Sequence, residues 1–236
     1  MHSKQFALTP RPLEMPFLII LLLIAPTSSA KESKFQNLNI SLTQKVDNEG
    51  FHRELKWLLE RGPTTFDCKL AIQLNVGPEM YLNPDQIADL NRLRHLSVLI
   101  DGEVDIETPA HLSTRHIAYI YVPPFEERVS LNIPFHLRYQ RAQISGGYGK
   151  VIVNKPSVLA LCPQSCARSE VKAPCDISNR ILCKWNNVSY QALFDEVELL
   201  VPVGDLDDYP LVSIVTLLLG CAGCIYTLSV LSTTPL

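Results

Sequence analysis

The sequence predicts a mainly β fold, an antiparallel sandwich or open barrel with one short helix, followed by a single carboxy-terminal transmembrane helix. Three observations predict it. Apolar residues recur with a period of two through much of residues 31–208, as in half-buried strands. Turn signals such as Gly146-Gly147 separate these segments. The uncharged run from Leu211 to Leu231 has the length that a bilayer requires.

The first 30 residues have the pattern of a secretory signal peptide. An apolar run from Phe17 to Ala25 follows basic residues, Pro26 ends it, and Ser28 and Ala30 form a small-x-small cleavage site. This run is too short to cross roughly 30 Å of hydrocarbon, which needs about 20 residues. We therefore expect residues 1–30 to be removed; a retained amino-terminal anchor is the alternative.

Uninterrupted alternation predicts two strands, one from Cys68 to Val76 and one from Val129 to Tyr139. The segment 51–60 fits both helical and strand spacing, and we favour a strand. Shorter strands are predicted at 40–46, 96–100, 116–122, 150–153, 157–161, 188–193 and 196–203.

The strand that ends at Tyr139 has polar residues on the face opposite its apolar one. His136 and Arg138 lie there with Asn132 and Gln140, so we predict an exposed polar surface for a partner or a ligand; a solvated outer face without a function is the alternative. Pro134 cannot donate a ladder hydrogen bond, which indicates an edge strand or a bulge.

One helix is predicted, starting after Asn83. Asn83 is a favourable N-cap, Pro84 suits the first turn, and Asp85 lies at the favourable end of the helix dipole. The predicted helix has about ten residues.

These segments give four regions: a signal peptide (1–30), a lumenal β-rich domain (31–208), a transmembrane helix (209–231) and a short cytosolic tail (232–236). A signal peptide with one later span predicts a type I protein. A carboxy-terminal apolar tail also resembles a GPI-attachment signal, which remains the alternative.

The net charge of −3 excludes the basic footprint of a nucleic-acid-binding protein. The region also lacks a nucleophile-base pair or a ligand cluster in its sequence pattern, so we expect no catalytic residue, metal or cofactor. Asp205-Leu206-Asp207 contains an Asp-x-Asp, which we interpret as an acidic linker before the membrane.

Cysteines cluster near the end of the β-rich region. In an oxidising compartment Cys162, Cys166, Cys175 and Cys183 predict two disulfides with three possible pairings, and zinc is the rival interpretation. Cys68 is left over, either free or bridged to one of the four. Two further cysteines lie in the span, where we interpret them as small packing residues: Cys221 and Cys224.

Two sequons predict N-glycosylation at Asn39 and Asn187, which then have to face solvent. Within the span, small residues recur at steps of three and four and predict a seam along one side of the helix where another helix can approach. The seam consists of Ser213, Thr216, Gly220, Gly223 and Thr227.

Several short motifs resemble the PIG-X family, the accessory subunit of GPI mannosyltransferase I. Ile133-Pro-Phe-His-Leu-Arg-Tyr139 resembles its Pro-x-His-x-Arg-Tyr strand, Gly50-Phe-His-Arg53 its early Gly-Phe-His-Arg, and Tyr81-Leu-Asn-Pro84 its Tyr-x-x-Pro segment. The block from Ala173 to Asn186 resembles the family's cysteine-rich block ending in Cys-x-Trp-Asn, and Val201-Pro-Val-Gly204 leads into the span as in the family.

The resemblance implies a non-catalytic, glycosylated type I protein of the endoplasmic reticulum membrane. In that family the subunit binds and stabilises PIG-M, which transfers the first mannose from dolichol-phosphate-mannose to the GPI precursor. Two other classes remain open on the sequence: a cell-surface or GPI-anchored binding module, and a small lumenal glycan- or lipid-modifying enzyme.

Overall fold

The computed structural model describes residues 39–62, 68–124, 126–163 and 170–233. Strands are the predominant secondary structure in this part of the chain, which confirms the predicted mainly β class. The strands are β1 Ile40–Asp47, β2 His52–Arg61, β3 Lys69–Val76, β4 Met80–Tyr81, β5 Val98–Asp101, β6 His116–Tyr121, β7 Arg128–Leu137, β8 Tyr148–Val153, β9 Ser157–Leu161, β10 Glu170–Pro174, β11 Leu182–Val188, β12 Gln191–Ala192 and β13 Val197–Pro202. The helices are α1 Pro84–Arg92, a 3₁₀ turn Ala110–Leu112 and α2 Tyr209–Thr233.

The strands form two large curled sheets and one ribbon. Sheet A has the order β12-β1-β2-β7-β4, sheet B has the order β10-β11-β9-β3-β6-β5, and β8 pairs with β13 in the ribbon. Neighbours pair antiparallel, as predicted, except β1 and β12, which run parallel with Ser41 opposite Gln191. The prediction of antiparallel pairing was therefore wrong for this one pair.

One hydrophobic core joins the two sheets and the ribbon. Leu59 and Ile133 come from sheet A, Ile72 and Val158 from sheet B, and Val151 from the ribbon, all within one packed cluster. Each such side chain, when fully buried, contributes about 1.5–3 kcal/mol of transfer free energy. The curled sheets form half-barrels and share this core.

Pro134 lies on an open edge of sheet A, as predicted. The Leu137 N–H donates to the Phe51 carbonyl beside β2 at 2.8 Å, and backbone groups alternate along a strand. The nitrogen of Pro134 therefore points away from β2. On that side the described residues supply only β4, which pairs with β7 at His136 and Leu137. Proline at such an edge removes a donor that another strand would otherwise find.

The predicted helix is also present. The Asn83 side chain accepts hydrogen bonds from the backbone N–H groups of Asp85 and Gln86, at 3.0 and 3.4 Å, and Pro84 begins α1. Ile87 anchors the helix to the core. The favoured strand assignment of residues 51–60 is confirmed by β2.

The prediction of one continuous strand at 188–193 was wrong. β11 ends at Val188, and after a break only Gln191 and Ala192 form β12. The alternation arose from side chains that pack without a continuous ladder: Val188 is buried, and the Tyr190 hydroxyl donates to the Pro156 carbonyl at 2.7 Å. Three further strands were not predicted: β4, β10 and, apart from its last residue, β11.

The disulfides confirm one of the two alternatives left open for Cys68, a bridge to one member of the cluster of four. Cys162 bonds to Cys68, across 94 residues of sequence, and Cys175 bonds to Cys183 beside the β10–β11 pair. The pairing of Cys162 within the cluster was wrong because the antiparallel β3–β9 register places Lys69 opposite Leu161, which brings the neighbouring cysteines together. Cys166 lies outside the described residues.

α2 begins at the predicted residue 209 and continues through Thr233, two residues beyond the predicted end. It is long and apolar enough to cross a membrane. Residues 234–236 of the predicted tail and the predicted signal peptide lie outside the described residues.

The two disulfides predict unequal losses of stability. In the chain-entropy account, a bridge across 94 residues stabilises by roughly 4–5 kcal/mol and one across eight by roughly 2–3 kcal/mol. We expect Cys68→Ala with Cys162→Ala to lower the free energy of unfolding more than Cys175→Ala with Cys183→Ala. Urea unfolding of the detergent-solubilised chain measures both. A larger loss for the second pair would contradict the assignment of Cys68–Cys162 as the main constraint.

Candidate functional site

Three motifs that lie far apart in the sequence meet on one edge of sheet A. The antiparallel register places His52 of β2 directly opposite His136 of β7. On the other side of β7, Tyr81 of β4 is directly opposite the same histidine. His136 is thus the centre of a cross-strand row, which we call the His–Tyr row (His52, His136 and Tyr81).

The rings of the His–Tyr row contact one another. The imidazoles of His52 and His136 meet edge to face, with ring centroids 4.4 Å apart. The phenol ring of Tyr81 stacks on His136 at 5.0 Å and 15°. Such cross-strand pairs add about 0.2–1 kcal/mol each to sheet stability, so the row also holds the register.

α1 fixes the orientation of the central ring. Gln86 lies in the first turn of the helix, and its Oε1 is 3.2 Å from the Nε2 of His136. Burial and the neighbouring His52 lower the pKa of His136. Because the amide oxygen of Gln86 can only accept, the Nε2–H of His136 is the donor in this contact.

Arg138 does not lie on an exposed polar face, so this part of the prediction was wrong. Its side chain is buried, with 4% of the residue exposed. The guanidinium lies 4.5 Å from the centroid of the Tyr81 ring, and its Nη1 donates to the Thr108 carbonyl at 2.6 Å. β7 ends at Leu137, and the loop that contains Thr108 covers the next residue. Alternation along β7 could not reveal that cover.

Arg138 instead holds β4 and the Tyr81 ring in place beside β7. Its backbone N–H donates to the Glu79 carbonyl at 2.8 Å, which holds the start of β4 against the end of β7. The cation over Tyr81 then positions the ring that stacks on His136. Arg138 is therefore a positioning residue.

A buried histidine outside the row lies near this arginine. His116 begins β6, is 3% exposed, and has no hydrogen-bond partner for either ring nitrogen among the described residues. Burial, and secondarily the charge of Arg138, lowers the pKa of His116 from 6.5 to about 4. The ring is therefore neutral at physiological pH.

The exposed part of the site consists of His52 and the half-buried His136 and Tyr81. Asn132 is exposed further along β7 and donates to Glu54 at 3.3 Å, whereas Gln140 donates to the Arg138 carbonyl at 3.1 Å. Of the four residues predicted to share a polar face, only His136 thus belongs to the row.

The chemistry of this surface suits recognition. Within the part of the chain that the structure describes, no three His, Cys, Asp or Glu side chains lie close enough together to hold a metal ion. Aromatic rings with a polar edge are enriched at protein interfaces because they bury area and still offer hydrogen bonds. The row has these properties.

The remaining predicted site residues lie elsewhere. The asparagines of both sequons are exposed, Asn39 just before β1 and Asn187 on β11, so the condition for glycosylation is met at each. The five small residues of the predicted seam lie on α2, where the Thr227 hydroxyl donates to the Gly223 carbonyl at 2.8 Å. Cys221 and Cys224 are free and exposed on the same helix.

Sequence reasoning had not assigned His52, Tyr81 or Gln86 to the site. Alternation along one strand cannot show which residues of other strands lie beside it. The signal was nevertheless present, because His52 and Tyr81 each belong to one of the short motifs that carry the family resemblance.

Comparison with known proteins gives a family and three similar proteins. The PIG-X / PBN1 family model matches residues 48–232, a range that includes all three motifs. A human protein named GPI alpha-1,4-mannosyltransferase I, stabilizing subunit, is 34% identical over 194 residues, which are 76% of this chain and 75% of that protein. Proteins of the same name from Mus musculus and Rattus norvegicus are each 31% identical, covering 83% and 76% of this chain and 82% and 77% of their own.

Arg138→Ala is expected to destabilise the fold. The substitution removes a charged hydrogen-bond donor and leaves a cavity, which together cost about 2–4 kcal/mol. For a chain of this size that corresponds to a fall in Tm of roughly 5–15 °C, measured by tryptophan fluorescence in detergent. Asn132→Ala, exposed on the same strand, is the control and should stay within about 0.5 kcal/mol of the wild type. An unchanged Tm for Arg138→Ala would contradict its positioning role.

Proposed function

Because this chain belongs to the PIG-X / PBN1 family, we propose that it is the non-catalytic stabilising subunit of GPI mannosyltransferase I. In this proposal it binds the catalytic subunit, PIG-M, in the endoplasmic reticulum membrane. The complex then transfers the first mannose from dolichol-phosphate-mannose to the GPI precursor. The names of the three relatives support the accessory role, since each is called a stabilizing subunit.

Two observations support a type I orientation with the β domain in the lumen. The domain carries two disulfides, which persist in oxidising compartments. The apolar α2 follows the domain directly, long enough for one span. N-glycosylation at Asn39 and Asn187 belongs to the same proposal, because the modification takes place on the lumenal side.

The His–Tyr row carries the proposal for the docking surface. Its three members come from separate motifs, and the fold brings them together at a point where sheet A has an edge. An accessory subunit without chemistry of its own acts through contacts with its partner. A rigid row, supported by Arg138 and Gln86, presents those contacts with little ordering cost.

The small-residue seam of α2 is the proposed second contact. Within a bilayer, close packing drives helix association, and small side chains permit it. The hydroxyl of Thr227 already has a partner in its own helix, so this residue exposes no unsatisfied donor to lipid. A Cβ added at Gly220 or Gly223 would meet no heavy atom within 4 Å, so this side of the helix is open.

Substitution of the row should weaken the complex without unfolding the domain. We expect His52→Ala with His136→Ala in the full-length chain to lower co-purification of the catalytic subunit at least fivefold. Because His136 is half-buried, the exposed substitution His52→Glu serves as a second variant, and Asn132→Ala is the matched control. Unchanged co-purification of both variants, at wild-type Tm, would rule out the row as the docking surface.

Larger side chains at two positions of the seam test whether it contacts the catalytic subunit. We expect Gly220→Leu with Gly223→Leu to leave insertion and glycosylation unchanged, while co-precipitation of the catalytic subunit and GPI-anchored proteins at the cell surface both decrease. As a control, Ala222→Leu adds a leucine on another side of α2 and should have no effect. If an unrelated spanning helix restores surface GPI proteins fully, α2 is only an anchor.

A further inference from the structure

Four large apolar side chains lie exposed where the β domain leads into α2. They are Ile144, Tyr148, Leu206 and Tyr209, with 75%, 72%, 46% and 68% of their surface exposed. Tyr209 is the first residue of α2, and Leu206 precedes it by three residues. The other two come about 60 residues earlier in the sequence: Ile144 lies in the connection between β7 and β8, and Tyr148 is the first residue of β8.

Backbone hydrogen bonds fasten that connection to the segment before α2. The Gln143 N–H donates to the Gly204 carbonyl at 3.0 Å, and the Leu206 N–H donates to the Gln143 carbonyl at 2.9 Å. The Val203 N–H donates to the Gly147 carbonyl at 2.9 Å. The loop that carries Ile144 therefore stays beside the start of the helix.

The turn itself has a conformation that favours glycine. Gly146 has φ +56°, and a Cβ at this residue would come within 3.3 Å of the Asp205 Cβ. Ser145, just before it, also has a positive φ, and its N–H donates to Asp207 Oδ2 at 3.2 Å. This contact lies two residues before α2, so Ile144 lies within about 15 Å of the helix start.

The length of α2 places its first turn at the membrane surface. Its 25 residues span about 38 Å, against roughly 30 Å of hydrocarbon. A helix centred in the bilayer would place Tyr209 in the interfacial layer, where tyrosine and tryptophan are enriched because each combines an apolar ring with a polar O–H or N–H group.

Two of the three carboxylates just before α2 have partners within the protein, whereas Asp208 is exposed. Asp207 accepts from the backbone and hydroxyl of Ser145, and Asp205 Oδ1 accepts from the Asp207 N–H at 2.9 Å. The apolar side chains, by contrast, have no cover from the described residues. A lipid interface provides that cover for the apolar side chains.

We propose that Ile144, Tyr148, Leu206 and Tyr209 form a membrane collar that inserts into the interfacial layer of the bilayer crossed by α2. The inference rests on the proposed membrane topology and adds a second, non-helical contact with lipid. The collar fixes the β domain at a set height and angle over the membrane. In this proposal lipid covers the collar residues. The alternative that the test distinguishes is that only the catalytic subunit covers them.

The test uses the full-length chain in phosphatidylcholine vesicles, with lipid brominated at the upper acyl chain as quencher. Ile144→Trp and Tyr148→Trp report on the collar. Ile152→Trp is the matched control, because Ile152 is exposed on the same outward face of β8, further from α2. Wild-type Trp57 and Trp185 are both buried and give the background to subtract.

We expect quenching of both collar tryptophans to exceed that of the control at least twofold in the absence of any partner. If the collar tryptophans are quenched no more than the Ile152→Trp control, while the chain resists carbonate extraction, the collar is overturned and the topology stays intact. If quenching of the collar tryptophans does not exceed that of the control, and their emission shifts to the blue only when the catalytic subunit is added, the surface belongs to the contact with that subunit. Loss of the chain on carbonate extraction would overturn the topology, and the collar with it.

Discussion

The pairing of β2 with β7 is the constraint on which the rest of the structure depends. These strands are opposite each other from His52–His136 to Glu60–Arg128, and the register decides which face of each strand enters the core. A slip of one residue would turn Leu131 and Ile133 towards solvent and separate the two histidines. The same pairing therefore provides both the hydrophobic core of sheet A and the row of rings at its edge.

β7 and the residue after it show what the local sequence pattern predicts and what depends on tertiary contacts. Within the strand, alternation and Pro134 were enough to predict the buried face and the open edge, because both follow from the period of two and the missing N–H. At Arg138 the prediction was wrong, since burial there results from a loop about 30 residues earlier in the sequence. Only the folded chain brings Thr108 to the guanidinium.

Long-range partners account for the other differences. The Cys68–Cys162 bond depends on the register of β3 and β9, and no spacing among nearby cysteines contains that information. The two-residue strands β4 and β12 are too short for any period to appear, yet β4 supplies Tyr81. By contrast, α1 was predictable because its cap, its first-turn proline and its apolar face are all local.

The parallel pairing of β1 with β12 has a consequence for the order of folding. The paired residues Ser41 and Gln191 are 150 positions apart, so at roughly 5–20 residues per second β12 is synthesised roughly 10–30 s after β1. During this interval β1 can pair with β2 but keeps its other edge open. Completion of sheet A thus coincides with synthesis of the last strands and the start of α2, which makes maturation of the domain nearly simultaneous with its arrival at the membrane.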